Sequence, residues 1–316
     1  MQSIKNKTRK SQILVKSKKI KVAVHNGDFH PDDVFAVAIL SLYLNKPLKI
    51  FRTRDEEIIK KMDYVFDVGG EYNPEENKFD HHQEGWKEKR ENGILYAAAG
   101  LVWKEYGHKI TGLAEVAERI DSKIIQTVDA EDNGIELYRS NFKNVNPYSL
   151  SYYIFSLNPT WSETKISVKK CFEDAVEEAK KILKREIKKA QDYILGNKKI
   201  IEIYNKTEDK RILVLDKNYS WKKIISTFPE TLLVIHQVPE VNDWHVKAVS
   251  IEGFQFRNKI EFPKSWAGKT GPELAKITGV DDAVFCHNQR FIAVAKSEAG
   301  AMKLARLAIS EASKTN

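Results

Sequence analysis

Cysteine is scarce in this 316-residue chain: Cys171 and Cys286 lie far apart and form no C-x-x-C pair. That excludes a disulfide framework or a zinc finger, and free thiols fit a reducing compartment, so a cytoplasmic location is expected. Long apolar runs are missing too. The longest, Val34 to Leu44, falls short of the roughly 18–20 residues that a membrane-spanning helix needs. The start of the chain lacks the pattern of a secretory signal, since its first twenty residues hold seven Lys or Arg and no apolar core before a small-residue cleavage site. That stretch also holds no acid. It reads as a solvated basic tail over residues 1–18, with an organellar targeting peptide or a nucleic-acid-touching arm as the alternatives. No internal repeat and no other low-complexity segment is present.

The whole chain is 42% hydrophobic, 30% charged and 10% aromatic, the composition of an ordered globular protein. Its length is that of two domains. The formal net charge of +8 points toward a polyanionic partner, but most of the excess sits in the tail. A substrate groove must therefore be a local feature of a nearly neutral body.

Alternating Ile and Val from Lys19 to His25 predict a strand that runs into the loop Asn26-Gly27-Asp28. Pro31 then opens a helix with Asp32 and Asp33 in its first turn, apolar on nearly every face to Leu44 and so buried against a sheet. Strands at Leu48–Arg52 and Tyr64–Asp67 flank a helix at Glu56–Lys61. This β-α-β-α-β rhythm predicts a mainly parallel sheet with functional residues at the carboxyl ends of its strands. Helices over Tyr96–Tyr106 and Leu113–Thr127 lead into Asp129-Ala130-Glu131-Asp132-Asn133-Gly134. From Lys165 to about Leu195, apolar residues recur at three and four, as in one long amphipathic helix. After Gly196 a second α/β pattern begins: a strand at Ile212–Leu215, a helix at Trp221–Phe228, strands at Leu232–Ile235 and Trp244–Ile251, a hairpin around His287–Arg290 and a helix from Glu298 to about Ala312. The expected layout is a catalytic domain over 19–164, a connecting helix over 165–196 and a smaller α/β substrate-binding domain over 197–316.

Chemistry-bearing residues concentrate in the first half. His25, His30, Asp32 and Asp33 put two imidazoles and two carboxylates at a strand end and a helix start, a mixed set suited to manganese, iron or zinc. Asp67 ends a strand and is followed by Val68-Gly69-Gly70. Asp80, His81 and His82 are adjacent in a chain with eight histidines. Neighbours on an extended segment face opposite sides, so all three cannot bind one ion; one His on metal, the other facing substrate and the Asp orienting an imidazole is the expected division. Asp129 and Asp132 stand at a helix C-terminus, where the helix dipole disfavours carboxylates unless a cation compensates. Together these offer enough ligands for two divalent ions roughly 3.5–4 Å apart, the arrangement that polarises a phosphoryl oxygen and generates hydroxide from water.

The runs His25-Asn-Gly-Asp-Phe-His30-Pro-Asp32-Asp33, Asp67-Val-Gly-Gly, Phe79-Asp-His-His-Gln83, Asp129-Ala-Glu-Asp-Asn-Gly134 and His287-Asn-Gln-Arg-Phe291 resemble, in order, the DHH phosphoesterase superfamily and, within it, the melanocyte proliferating gene family of exonucleases. The resemblance implies a mainly parallel-sheet DHH-type catalytic domain, a linking helix and a C-terminal domain that closes over substrate, with manganese or, as an alternative, magnesium or another divalent ion. It implies His25, His30 and Asp32 in the first metal motif, Asp67 as a bridging carboxylate, His81 as a ligand of the second ion, His82 on phosphate, and Asp129 or Asp132 as the fourth motif. In the C-terminal domain, His287 and Arg290 stand nearest to the superfamily's glycine-rich substrate loop. Arg290 has the fork to grip a phosphate, and Trp266 and Lys269 could stack on a base and pair a phosphate.

The implied function is hydrolysis of single-stranded nucleic acid, RNA from its 3′ end, by two metal ions. The rival readings are a small phosphoanhydride or dinucleotide hydrolase with the same metals, and a non-catalytic, metal-stabilised nucleic-acid-binding protein. No membrane partner is expected.

Overall fold

The computed structural model describes residues 19–254 and 257–315, so the basic tail lies outside the described residues. Strand β1 (Ile20–Val24) enters helix α1 (Pro31–Leu44), in which every residue from Asp32 to Leu40 is buried, as expected of a helix apolar all round. Then come β2 (Leu48–Arg52), the short α2 (Glu56–Ile59), β3 (Tyr64–Phe66), β4 (Tyr72–Asn73) and β5 (Lys78–Phe79). They form one five-stranded sheet in the order β2-β1-β3-β5-β4, parallel except for the β4–β5 pair. Parallel strands need crossovers, and α1 supplies the first.

Helix α3 (Ala98–Thr111) packs along α1. Next, α4 (Ala114–Ile120) and α5 (Gln126–Asp132) are joined through a π-helical turn at Asp121–Ile125. The expected single helix to Thr127 therefore runs on to Asp132, and both Asp129 and Asp132 lie inside it. Helix α6 (Leu150–Phe155) follows an irregular stretch.

Helix α7 (Val168–Lys206) does not end near Leu195 as the sequence pattern predicts; it passes through Gly196 and continues to Lys206. A Cβ on Gly196 would approach the Tyr219 ring to 3.2 Å, so this glycine serves close packing and does not break the helix. Its roughly 1 kcal/mol propensity cost is offset downstream, where Ile200 packs with Leu213, Trp221 and Val234.

The described residues fall into two compact units that divide between Lys188 and Lys189. The second holds β6 (Ile212–Leu215), α8 (Lys222–Ser226), β7 (Leu233–Val238), β8 (Asp243–Ala248), α9 (Gly271–Thr278), β9 (Ala283–Cys286), β10 (Ile292–Ala295) and α10 (Glu298–Thr315). Its sheet order is β6-β7-β8-β10-β9, with only β6 and β7 parallel. Ala301, Leu304, Ala305 and Ala308, at helical spacing on α10, pack with Leu233, Ile235 and Val246. The architecture is mixed α/β with two sheets. Among the described residues, no helix is long and apolar enough to cross a membrane.

Candidate metal centre

Strands β1, β3 and β5 are adjacent and parallel, so their carboxyl ends share one rim of the first sheet. His25 follows β1, Asp67 follows β3, and Asp80, His81 and His82 follow β5. Asp67 has φ 55°, a left-handed conformation uncommon for an aspartate, and Gly69 and Gly70 also have positive φ. The resulting turn lets the Gly70 amide donate to Asp80 Oδ2. Asp80 Oδ1 accepts from the His81 amide and lies 2.8 Å from His82 Nδ1.

The N-terminus of α1 supplies the next carboxylates. Asp33 Oδ1 accepts from the His30 amide at 2.9 Å, capping the helix. Asp32 accepts from the amides of Ala98 and Ala99 at 2.9 and 2.6 Å, using the unpaired N–H groups at the start of α3. Both are fully buried.

Around Asp67 the side chains converge. Its Oδ2 lies 3.4 Å from His25 Nε2 and its Oδ1 3.4 Å from His81 Nε2. Asp33 Oδ2 is 3.3 Å from His25 Nε2, Asp132 Oδ2 is 3.2 Å from His81 Nε2, and Asp32 Oδ2 is 3.9 Å from the same nitrogen. Three sets each bring candidate ligand atoms within 4.8 Å of one another: His25, His30 and Asp67; Asp67, His81 and His82; Asp32, His81 and Asp132.

The electrostatics match a site for cations. Burial pushes Asp32 well up, helped by the charges of Asp132 and Asp67, and burial raises Asp33 to about 8 despite His25. For Asp67 burial acts upward as well, but His25 and His81 more than offset it and hold the carboxyl well below the usual range. Burial would lower His81, yet Asp132, Asp67 and Asp32 outweigh it and raise the imidazole to about 11. Carboxylates crowded this closely repel one another unless positive charge lies among them.

His25 Nε2, Asp33 Oδ2, Asp67 Oδ1 and His81 Nε2 are all buried without a hydrogen-bond partner. Buried polar atoms are rarely left so, and this cluster, an oxygen of Asp67 with three atoms of its neighbours, fits ligands aimed at an ion. Imidazole nitrogens mixed with carboxylate oxygens suit a divalent cation of the manganese or zinc type.

Asp129, expected as an alternative fourth-motif ligand, is engaged elsewhere. Its Oδ2 accepts from Arg90 Nη1 at 2.6 Å and its Oδ1 from the Gly100 amide at 2.9 Å, while Asp132, one turn on, faces His81. Arg90 also pairs with Asp121 in the π turn. A Cβ on Gly100 would fall 1.8 Å from Asp129 Oδ2, so only glycine allows this approach. Sequence reasoning gave no role to Arg90 or Gly100, whose partners lie 39 and 29 residues away. Asp33, expected among the carboxylates of the first constellation, caps α1 through the His30 amide and turns its other oxygen to His25.

The substrate-side residues of the second half lie in the second unit. Trp266 is 4% exposed and stacked on Phe262 within the core, which corrects the expectation that it stacks on a base. Lys269 pairs with Glu273. Arg290, at φ 57° in the β9–β10 hairpin, pairs with Glu261 and donates to the Phe262 carbonyl at 3.2 Å. His287 Nδ1 accepts from the Gln289 amide at 3.1 Å, so both groups have roles in holding the hairpin.

The MYG1_exonuc family model, described as Uncharacterised protein family (UPF0160), matches residues 21–309. The chain is 30% identical to the MYG1 protein of Dictyostelium discoideum over 93% of its own length and 98% of that protein. It is 25% identical to the MYG1 exonuclease of Homo sapiens, over 93% of this chain and 86% of the human one. Among solved structures, a pGpG-specific phosphodiesterase of Vibrio cholerae aligns over 93% of this chain and 98% of that chain, at 14% identity and a TM-score of 0.30.

Proposed function

The chain belongs to the MYG1_exonuc family, UPF0160, and from that premise we propose that it is a divalent-metal-dependent phosphodiesterase acting on single-stranded nucleic acid, as a 3′-to-5′ exoribonuclease. The observation that carries the reading is the cluster of four unpartnered buried atoms that Asp67 forms with His25, Asp33 and His81. The exonuclease name of mammalian relatives supports a nucleic-acid substrate. Free thiols at Cys171 and Cys286 fit a cytoplasmic enzyme.

His25, His30 and Asp67 would hold one divalent ion, manganese by preference, and Asp32, His81 and Asp132 would hold a second. Asp67 stands between these two sets, its two oxygens facing different imidazoles. Bound there, divalent ions would supply the positive charge that polarises a phosphoryl oxygen and lowers the pKa of water. The chain's own groups do the rest. Amides of α3 fix Asp32, and Asp33 fixes the entry of α1. Asp80 holds His82 Nδ1, leaving Nε2 of a ring whose side chain is 62% exposed to donate to a phosphate oxygen. The same contact with Asp80 raises the His82 pKa, which favours the charged form that an oxyanion needs.

A comparison of turnover on inorganic pyrophosphate, a dinucleotide, and 5′-labelled single-stranded RNA and DNA tests the substrate class. The reading expects manganese-stimulated cleavage with RNA favoured over DNA. Cleavage of pyrophosphate alone would transfer the site to the phosphoanhydride reading, and binding of intact oligonucleotide without cleavage to the non-catalytic one.

A further inference from the structure

Beside the metal centre, still within the first unit, lies a cavity of about 670 Å³. His30 and Asp132 line it and also belong to the metal-binding sets, so the cavity opens directly onto the ligands. Its other walls come from the end of α5, the irregular chain after it and α6.

The lining is unusual in two respects. Tyr138, Tyr152 and Phe155 line it while remaining 50%, 61% and 45% exposed. Phe155 lies 6.1 Å from the His30 ring, and Tyr148 stacks behind Tyr152 at 6.4 Å. Large aromatic faces left in solvent beside a polar centre are the usual platform for a flat ligand. The charged groups in the wall are Glu131, Asp132 and Glu136, and no lysine or arginine among the described residues lines it. Such a wall repels phosphate and accepts hydrogen bonds from hydroxyl and amino groups. Ser151 Oγ, also in the lining, is buried with no hydrogen-bond partner, a polar atom available to a ligand.

We propose that this cavity is a nucleoside pocket, taking the base and sugar of the nucleotide whose phosphate lies at the metal centre, with Tyr152 as a stacking face. The proposal rests on the phosphodiesterase reading for the position of the phosphate and deepens it by assigning the subsite that takes the base and sugar of the terminal nucleotide. A bare phosphoanhydride would leave the aromatic faces without a partner. Phosphates of a longer strand are turned away from this acidic wall, so the pocket holds one terminal nucleoside and the rest of the strand leaves by another path.

Calorimetric binding to the full chain with manganese present tests the pocket without turnover. The ligands are cytidine and adenosine 5′-monophosphate and their base-free counterpart, ribose 5-phosphate. Wild type is expected to bind the nucleotides roughly 5- to 100-fold more tightly than ribose 5-phosphate, the size of a base–aromatic contact. That ratio falls toward one in Tyr152→Ala and persists in Tyr152→Phe, which keeps the ring. Equal binding of all three ligands by wild type, no binding of any, or a ratio unchanged in Tyr152→Ala overturns the pocket. Phosphodiester hydrolysis with a ratio of one leaves the enzyme reading standing and removes the pocket; the predicted ratio with no hydrolysis does the reverse.

Discussion

Arg90 Nη1 meets Asp129 Oδ2 at 2.6 Å in the interior of the first unit, and this pair gives two neighbouring carboxylates of one helix different tasks. Asp129 is fully buried and satisfied, whereas Asp132 is turned to His81. Removing Asp129 leaves Arg90 paired with Asp121, so the cost falls below the about 3–5 kcal/mol of a fully stranded buried charge. Asp129→Ala should therefore lower the unfolding free energy by about 1–3 kcal/mol, the cost of leaving the Arg90 Nη1 and Gly100 amide donors without their acceptor, measured by chemical denaturation. Gly100→Ala should act in the same direction, because its Cβ would displace the Asp129 carboxylate.

Asp132→Ala should behave differently. With the Arg90–Asp129 pair intact, its metal-free stability stays close to wild type, since loss of the His81 contact is set against relief of the repulsion with Asp32. What it loses is the response to metal. Manganese at about a hundredfold excess over its dissociation constant stabilises a site by roughly 2.7 kcal/mol, which raises an apparent melting temperature by about 5–10 °C. Differential scanning fluorimetry should find that rise in wild type and a much smaller one in Asp132→Ala and His81→Ala.

Asp80 holds the loop and His82 without joining the metal-binding sets. Asp80→Asn is expected to retain most of the manganese-induced thermal shift while kcat falls, because the amide no longer fixes the charged imidazole. His82→Ala should lower kcat by about a hundredfold, the scale of losing one donor to developing charge. Steady-state kinetics beside the thermal shift separates this loss from a loss of metal.

The second unit carries an acid-sensitive group. His236, fully buried on β7 opposite His245 on β8, has its pKa lowered to about 4 by burial, with Lys247 and His245 acting in the same direction. The unfolded chain takes up this proton near pH 6.5 and the fold resists it. Its contribution is thus complete above about pH 6.5 and is lost as pH falls toward about 4. Up to roughly 3 kcal/mol is at stake. Denaturation midpoints across that range should fall less steeply in His236→Phe than in wild type.

Much of this fold was legible because its signals are local. The Pro31 helix start and the apolar run to Leu44 mark α1 at both ends, and Leu48–Arg52 and Ile212–Leu215 emerge as strands with the boundaries their pattern predicts. The strand-end positions of His25 and Asp67 follow from the parallel rhythm alone. What stayed hidden depends on distant partners. No pattern near Asp129 reveals that Arg90 claims it, or that Gly100 makes room. Gly196 reads as a helix end until Tyr219 stands beside it, and Trp266 reads as a surface ring until Phe262 covers it. The aromatic cavity was invisible for the same reason, since its walls come from segments with no periodicity.

The most direct test of the metal-dependent phosphodiesterase account is the product ladder from 5′-labelled single-stranded RNA incubated with manganese and equal amounts of folded wild type, His81→Ala and Asp67→Ala. The account predicts stepwise shortening from the 3′ end by wild type, abolished by a chelator and absent with either variant. Wild-type shortening by both variants, with their fold verified by circular dichroism, would contradict it.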